Sequence, residues 1–289
     1  MRPHWFKWRT ILGLSVLAAL GVFLDVGLLL QTLTSVSPGW FASALIAATL
    51  ANLLCALRWA RIARFLKIAD VSLPTFVCLY GQGIAINSVI PGGVVGGDAW
   101  RAAQLPAHSP LKTRIKSVFQ DRLSGLWALA ILGLIGALVI QTEGAVWTSL
   151  PAPWAAGYLG LLALIGCIPI VYRMGDVLAG LLSLGSQGLT VIAFWLCMLA
   201  SATTLSFAQL LVLAPAIFLT AMTPASVGGF GAREGAAIFF LGLAGMSAEA
   251  AVVGSVLFGL TAMIQGALAI LIWAVPNVSQ SGLPVNDGR

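Results

Sequence analysis

The 289-residue sequence predicts an all-α polytopic membrane protein of six transmembrane helices and two re-entrant helical hairpins, arranged as an inverted-topology repeat. Three observations carry that expectation. The chain is 60% hydrophobic and 8% charged, with a mean hydropathy of +1.00, whereas soluble domains carry roughly 25% charged residues. Its apolar runs are long and include glycine and proline, which suits helices rather than the short alternating segments of a barrel. One short pattern also occurs twice within apolar sequence. The first copy is Pro91-Gly-Gly-Val-Val-Gly96-Gly97-Asp98-Ala-Trp-Arg101, and the second is Pro224-Ala-Ser-Val-Gly228-Gly229-Phe-Gly231-Ala-Arg233-Glu234. Helix breakers and charges are costly at membrane depth unless that backbone lines a polar cavity, and paired breaks in two halves of a chain point to a transporter binding site.

The elements follow in order. Arg2, His4, Lys7 and Arg9 precede an apolar run from Ile11 to Leu33, long enough to span and without a convincing cleavage site, so span one reads as an uncleaved helix carrying Asp25. Span two covers about Trp40–Leu57 and ends in Arg58, Arg61, Arg64 and Lys67; Leu73–Leu105 holds the first break; Lys112, Arg114 and Lys116 precede span three, roughly Leu123–Gln141. A loop without basic residues, Glu143–Pro153, leads to span four at about Trp154–Tyr172, an interfacial stretch near Asp176–Gln187, and span five at about Leu189–Leu213. Ala214–Gly245 holds the second break, and span six covers about Ala250–Val275.

Basic residues collect on the cytoplasmic side. The basic N-terminus and the clusters at Arg58–Lys67 and Lys112–Lys116 therefore lie inside, and the first broken segment enters and leaves there. If the second is likewise re-entrant, it enters from outside and both termini are cytoplasmic. The chain then forms a single domain over 1–289, with repeat one about 11–142 and repeat two about 154–276. Each hairpin read as two short spans would shift this topology but keep the breaks in the membrane.

The chemistry sits at the breaks. Glycines permit close backbone approach, prolines end helices, and half-helix N-termini attract anions. Arg101 and Arg233 supply fixed charge and bidentate donors suited to phosphate. Asp98 and Glu234 hold the arginines when no anion is bound, or the pairs simply tie down the hairpin tips. Asp121-Arg122, with Gly125, reads either as an interfacial anchor or as part of a cytoplasmic entrance to a cavity. Arg58 beside Trp59 reads as a snorkelling arginine or a further substrate contact, and Gln82 and Asn87 as candidates to line the first break. Asp25 and Gln265 suit interhelical hydrogen bonding, and Glu249 suits solvent.

The net charge of +6 follows the positive-inside pattern and does not argue for nucleic acid. Cys55, Cys78, Cys167 and Cys197 are isolated, and His4 and His108 lack metal-ligand spacing, so neither metal nor cofactor is expected. No catalytic constellation or nucleotide-binding loop is visible, so no enzymatic activity is expected.

At these residues the chain resembles the transmembrane flippase domain of lysylphosphatidylglycerol synthase. The pieces that carry the resemblance are Asn87–Pro91 with Gly96-Gly97-Asp98 and Arg101; Asp121-Arg122 with Gly125; and Thr223-Pro224 with Gly228-Gly229, Gly231 and Arg233-Glu234. The resemblance implies a protein of the bacterial inner membrane that moves a lipid with an anionic or zwitterionic headgroup between leaflets. No aminoacyl-transferase domain follows in these 289 residues, so lysine transfer is not carried over. The alternatives are a small-solute or ion transporter on the same repeat, or an accessory subunit of a lipid-modifying enzyme. A homo-oligomer or a lipid-synthesising enzyme partner fits either reading.

Overall fold

The computed structural model describes residues 34–68, 71–89, 93–140, 152–172, 175–201, 205–222 and 231–274. Among these the secondary structure is helical. The helices are α1 (Pro38–Phe65), α2 (Leu73–Val89), α3 (Gly93–Gln104), α4 (Leu111–Ile140), α5 (Ala152–Gly166), α6 (Ile168–Val171), α7 (Val177–Ala200), α8 (Phe207–Ala221), α9 (Ala232–Gly242) and α10 (Ala248–Ala274). Four of them, α1, α4, α7 and α10, are long and apolar enough to cross a membrane. The expected span one and Asp25 lie outside the described residues.

Local chemistry sets these boundaries. Pro38 opens α1 at its first turn, where a missing N–H costs nothing. Arg114 extends from the start of α4 and donates through Nη1 to the carbonyls of Ala103 and Leu105 at 3.2 and 3.1 Å, satisfying the end of α3. The expected span three therefore starts too late: its polar approach, Leu111–Arg122, is the first part of the same helix.

The largest departure concerns span five. Asp176 caps α7 by accepting the Ala179 N–H at 3.0 Å, so the expected interfacial stretch is the helix's first half. The apolar run then breaks after Ala200. Ser206 starts α8 with a capping box, in which Gln209 N–H donates to Ser206 Oγ at 3.2 Å and Ser206 N–H to Gln209 Oε1 at 3.1 Å. Leu189–Leu213 is thus parts of two helices, and the second broken segment begins near Phe207 rather than Ala214. Span four is likewise interrupted after Gly166, before Pro169.

Helices α1 and α7 lie antiparallel along each other. At one end Ser37 N–H donates to Ala200 O at 3.0 Å; at the other Arg61 Nη2 meets Asp176 Oδ2 at 2.7 Å. Apart from the contacts of α5 with α4 and α6, the remaining contacts come in matched pairs. α1–α2 matches α7–α8, α2–α10 matches α8–α4, α3–α4 matches α9–α10, and α1–α4 matches α7–α10. Small residues close the α2–α10 and α4–α8 seams: Gly81 faces Ala269 and Gly266 faces Ala85, while Gly133 faces Pro215 and Gly136 faces Leu211. Gln265 on α10 accepts from Asn52 on α1, an interhelical bond of the expected kind.

Candidate anion site between two helix breaks

The legs of the first break, α2 and α3, approach at Gly97. A Cβ there would lie 2.3 Å from both Asn87 Oδ1 and the Gly83 carbonyl oxygen, so only glycine fits. The approach is fixed by Gly97 N–H donating to Asn87 Oδ1 and Trp100 Nε1 donating to Gln82 Oε1, each at 2.9 Å. Gln82 is therefore a tie between the legs. Gly96, one residue earlier on α3, is half-buried.

This hairpin presents Arg101 to α4. Its Nη2 donates to Asp98 Oδ1 at 2.8 Å and its Nη1 to Asp121 Oδ2 at 3.0 Å. The guanidinium carbon lies 4.8 Å from the ring centroids of both Trp59 and Tyr80. The other oxygen of Asp121 accepts from Arg58 Nε at 2.8 Å, and Arg58 Nη1 donates to Ser186 Oγ on α7 at 3.1 Å. Arg122 grips Asp98 with two donors, Nε to Oδ2 at 2.8 Å and Nη2 to Oδ1 at 2.9 Å. Three arginines and two aspartates from α1, α3 and α4 thus form one network.

Arg58 is 3% exposed, which corrects its reading as a snorkelling residue. As the first of several basic residues at a helix end it was ambiguous in sequence; its partner Asp121 arrives from a helix more than 60 residues away. Asp121 is 1% exposed and sits within α4, so the anchor reading fails for it as well. Gly125, one turn further on, leaves room for the passing guanidinium of Arg58.

The second break has a smaller cluster. Gly231 precedes α9 with φ at 91°, a conformation that disfavours side chains, and its N–H donates to the Glu234 carboxylate. Arg233 Nη2 donates to Glu234 Oε1 at 2.8 Å, and its Nε to Ser255 Oγ on α10 at 3.0 Å. Ser255 Oγ also donates to Glu234 Oε1 at 2.9 Å. The guanidinium lies 5.7 Å from the Phe258 ring, which packs against Phe194 and Phe218. Gly228 and Gly229 lie outside the described residues.

A cavity of about 250 Å³ joins the two clusters. Tyr80, Asn87, Arg101 and Arg122 line it from the first half, and Met222 and Arg233 from the second. One water takes roughly 30 Å³, so the space suits a small polar group. Arg122 is the most open of the arginines whose contacts define it, at 34% exposure. Sequence reasoning did not single out Tyr80, Ser186, Ser255 or Asn52, which lack a charge or motif to mark them. Glu249 is buried at the start of α10, not solvated; its charge suits the positive end of that helix. Among the described residues no cluster of histidine, cysteine or acid groups is arranged to hold a metal ion.

Long apolar helices around an internal arginine-lined cavity define a multi-pass membrane protein with a polar site in its helical body. Residues 10–176 and 170–269 match the family described as the lysylphosphatidylglycerol synthase TM region, and the chain belongs to this family. That membership associates it with membrane lipid. No curated protein matches the chain.

Proposed function

We propose that the protein moves the headgroup of a phospholipid, or of another phosphate-bearing lipid, between leaflets of the bacterial inner membrane. The observation that carries this reading is the cavity lined by Arg101 and Arg233, one from each broken segment, and by Arg122 from α4. A phosphate leaving water loses its hydration, and charge-assisted bonds of about 1.5–3 kcal/mol each offset part of that loss. The acyl chains remain in lipid. No residue is assigned a chemical step.

The matched helix pairs support an inverted-topology repeat, in which α1, α2, α3 and α4 correspond to α7, α8, α9 and α10. In this arrangement the α2–α3 hairpin is re-entrant from the cytoplasm and the α8–α9 hairpin from outside. The common location of Arg61, Asp176 and the Arg114-capped end of α3 agrees with one basic, cytoplasmic face and with cytoplasmic termini. The two arginine-bearing hairpins then face one cavity near the midplane, which opens to alternate sides as the repeats rock.

Scrambling of labelled phospholipids in proteoliposomes, read with an outer-leaflet quencher, tests this. Wild-type protein should expose the protected inner pool, and Arg101→Gln and Arg233→Gln variants that retain their helical signal and melting behaviour should not. Equal rates from wild type and both variants would overturn the site. Loss of a small anion from the vesicles without lipid movement would favour a solute transporter instead.

A further inference from the structure

We propose that Tyr80 is a substrate-contacting residue, its hydroxyl donating to a phosphoryl oxygen that Arg101 and Arg122 bind at the same time. This rests on the transport reading of the cavity and adds to it a contact that carries no charge.

The first argument is placement. Tyr80 lies on α2, the first leg of the hairpin, about one turn before Gly83. The stem of Arg101 crosses α2 at Gly83, where a Cβ would lie 3.2 Å from Arg101 Cγ and Cδ. That crossing brings the guanidinium carbon to 4.8 Å from the Tyr80 ring centroid. Trp59, at the same distance from it, is fully enclosed, and its Nε1 donates to Ser117 Oγ at 3.2 Å. Tyr80 instead is half-buried and lines the cavity together with Arg101 and Arg122.

The second argument is the set of donors this wall offers. A phenol in a protein interior usually finds a partner, as Tyr158 does by donating to the Val212 carbonyl. The Tyr80 hydroxyl bonds to none of the described residues, and it is not sealed within protein, so it opens onto the cavity. Arg101 commits Nη1 to Asp121 and Nη2 to Asp98, while Arg122 commits Nε and Nη2 to Asp98. Arg101 Nε and Arg122 Nη1 have no partner among the described residues. One hydroxyl and two guanidinium N–H groups are thus available together. A phosphoryl group suits such a set, because each non-bridging oxygen accepts more than one bond and contacts to a charged oxygen are short and strong. The guanidinium beside the ring also draws electron density from the phenol, which favours the hydroxyl as a donor over its use as an acceptor.

The third argument comes from the other half of the molecule. The seam contacts Gly81–Ala269 and Ala85–Gly266 match Leu211–Gly136 and Pro215–Gly133. That register places Leu210 of α8 at the position of Tyr80. Leu210 is 0% exposed within an apolar cluster. Packing alone is satisfied at this position by a leucine, and it does not account for a hydroxyl turned to the cavity.

Native mass spectrometry of the full-length protein in detergent tests the contact. The probes are phosphatidylglycerol, phosphatidylethanolamine and diacylglycerol with identical acyl chains, the last lacking phosphate. Tyr80→Phe removes only the hydroxyl and keeps the ring beside Arg101. The phospholipid that wild type binds more tightly should bind this variant at least about tenfold more weakly, the ratio of a 1.4 kcal/mol difference. Diacylglycerol binding and the melting temperature should be unchanged. Equal phospholipid affinity in the two proteins overturns the inference. So does a fall shared by diacylglycerol, which reports altered packing, or a variant that fails to fold, which shows that the hydroxyl serves the protein. Equilibrium binding of radiolabelled inorganic phosphate separates the sources of the phosphoryl group. A loss in Tyr80→Phe confined to inorganic phosphate keeps the contact and assigns it to a free anion. If Tyr80 governs phospholipid binding but wild type scrambles no lipid, the transport reading fails and the contact stands. If wild type scrambles lipid and Tyr80→Phe binds and scrambles it equally well, the contact fails and transport stands.

Discussion

Arg101 and Arg233 occupy matching places on the second legs of two hairpins, yet they are held differently. Arg101 is tied into a network that reaches α1 through Arg58, α4 through Asp121 and α7 through Ser186, and it is sandwiched by two aromatic rings. Arg233 has a carboxylate on the adjacent residue, one serine on α10 and one ring at longer range. The difference teaches that a shared arginine position is anchored in two ways: buried charge ties the first hairpin to α1 and α4, while the carboxylate partner of Arg233 lies on its own helix, α9.

Asp121 gives the largest expected effect. Asp121→Asn leaves Arg58 and Arg101 short of one buried counter-charge between them, and a broken buried pair costs about 3–5 kcal/mol. Glu234→Gln takes one carboxylate from Arg233, which keeps its bond to Ser255, and the amide oxygen can still take the Gly231 N–H, so the cost is about 2 kcal/mol. Unfolding of both variants in the same detergent measures the gap. A loss at Glu234 as deep as at Asp121 would break the contrast between the hairpins.

The glycines sharpen it. Gly97→Ala forces a methyl group within 2.3 Å of the Gly83 carbonyl oxygen and Asn87. Prying apart the legs of the first hairpin in this way costs about 1–3 kcal/mol. Gly235→Ala in α9 meets nothing within 4 Å, and alanine in a helix gains about 0.5–1 kcal/mol over glycine. Helical content and melting temperature should therefore fall for the first and hold or rise for the second. Instability of Gly235→Ala would show that the second hairpin is as tightly packed as the first.

How much of this was legible in sequence depends on how local each signal is. The Arg101–Asp98 and Arg233–Glu234 pairs are close in sequence and flanked by helix breakers, so motif spacing revealed them. The Arg58–Asp121 bond was not legible, because Arg58 opens a basic helix end and Asp121 sits beside Arg122, and nothing in either run marks the two as lying at the same depth. The α7–α8 boundary was missed for another reason. The stretch from Leu189 to Leu213 is apolar overall, and its dip at Ser201, Thr203, Thr204 and Ser206 holds no charge, glycine or proline to mark a helix end. The polar signals were present: Asp176 before α7, and Ser206 three residues ahead of Gln209 before α8, a capping pair. The matched contact pairs between the halves lie beyond any sequence window, since the copies share a pattern rather than residues.

The smallest effect lies at the exposed end of the α1–α7 pair, where Arg61 meets Asp176. Against the raising influence of burial, the Ala179 N–H and the Arg61 guanidinium hold the Asp176 carboxyl below its ordinary value. A folded-state pKa lowered in this way adds stability above the unfolded value of about 3.9, and the gain is lost as pH falls through the folded value. Asparagine caps a helix about as well as aspartate, so Asp176→Asn removes the charge and keeps the cap. Wild type should melt slightly above this variant at pH 6–7, and the gap should narrow as the pH falls below about 3.9. A gap that does not narrow on acidification would assign the contribution of Asp176 to packing at the helix end, and would leave the network around Asp121 as the charge contact that fixes α1 against its neighbours.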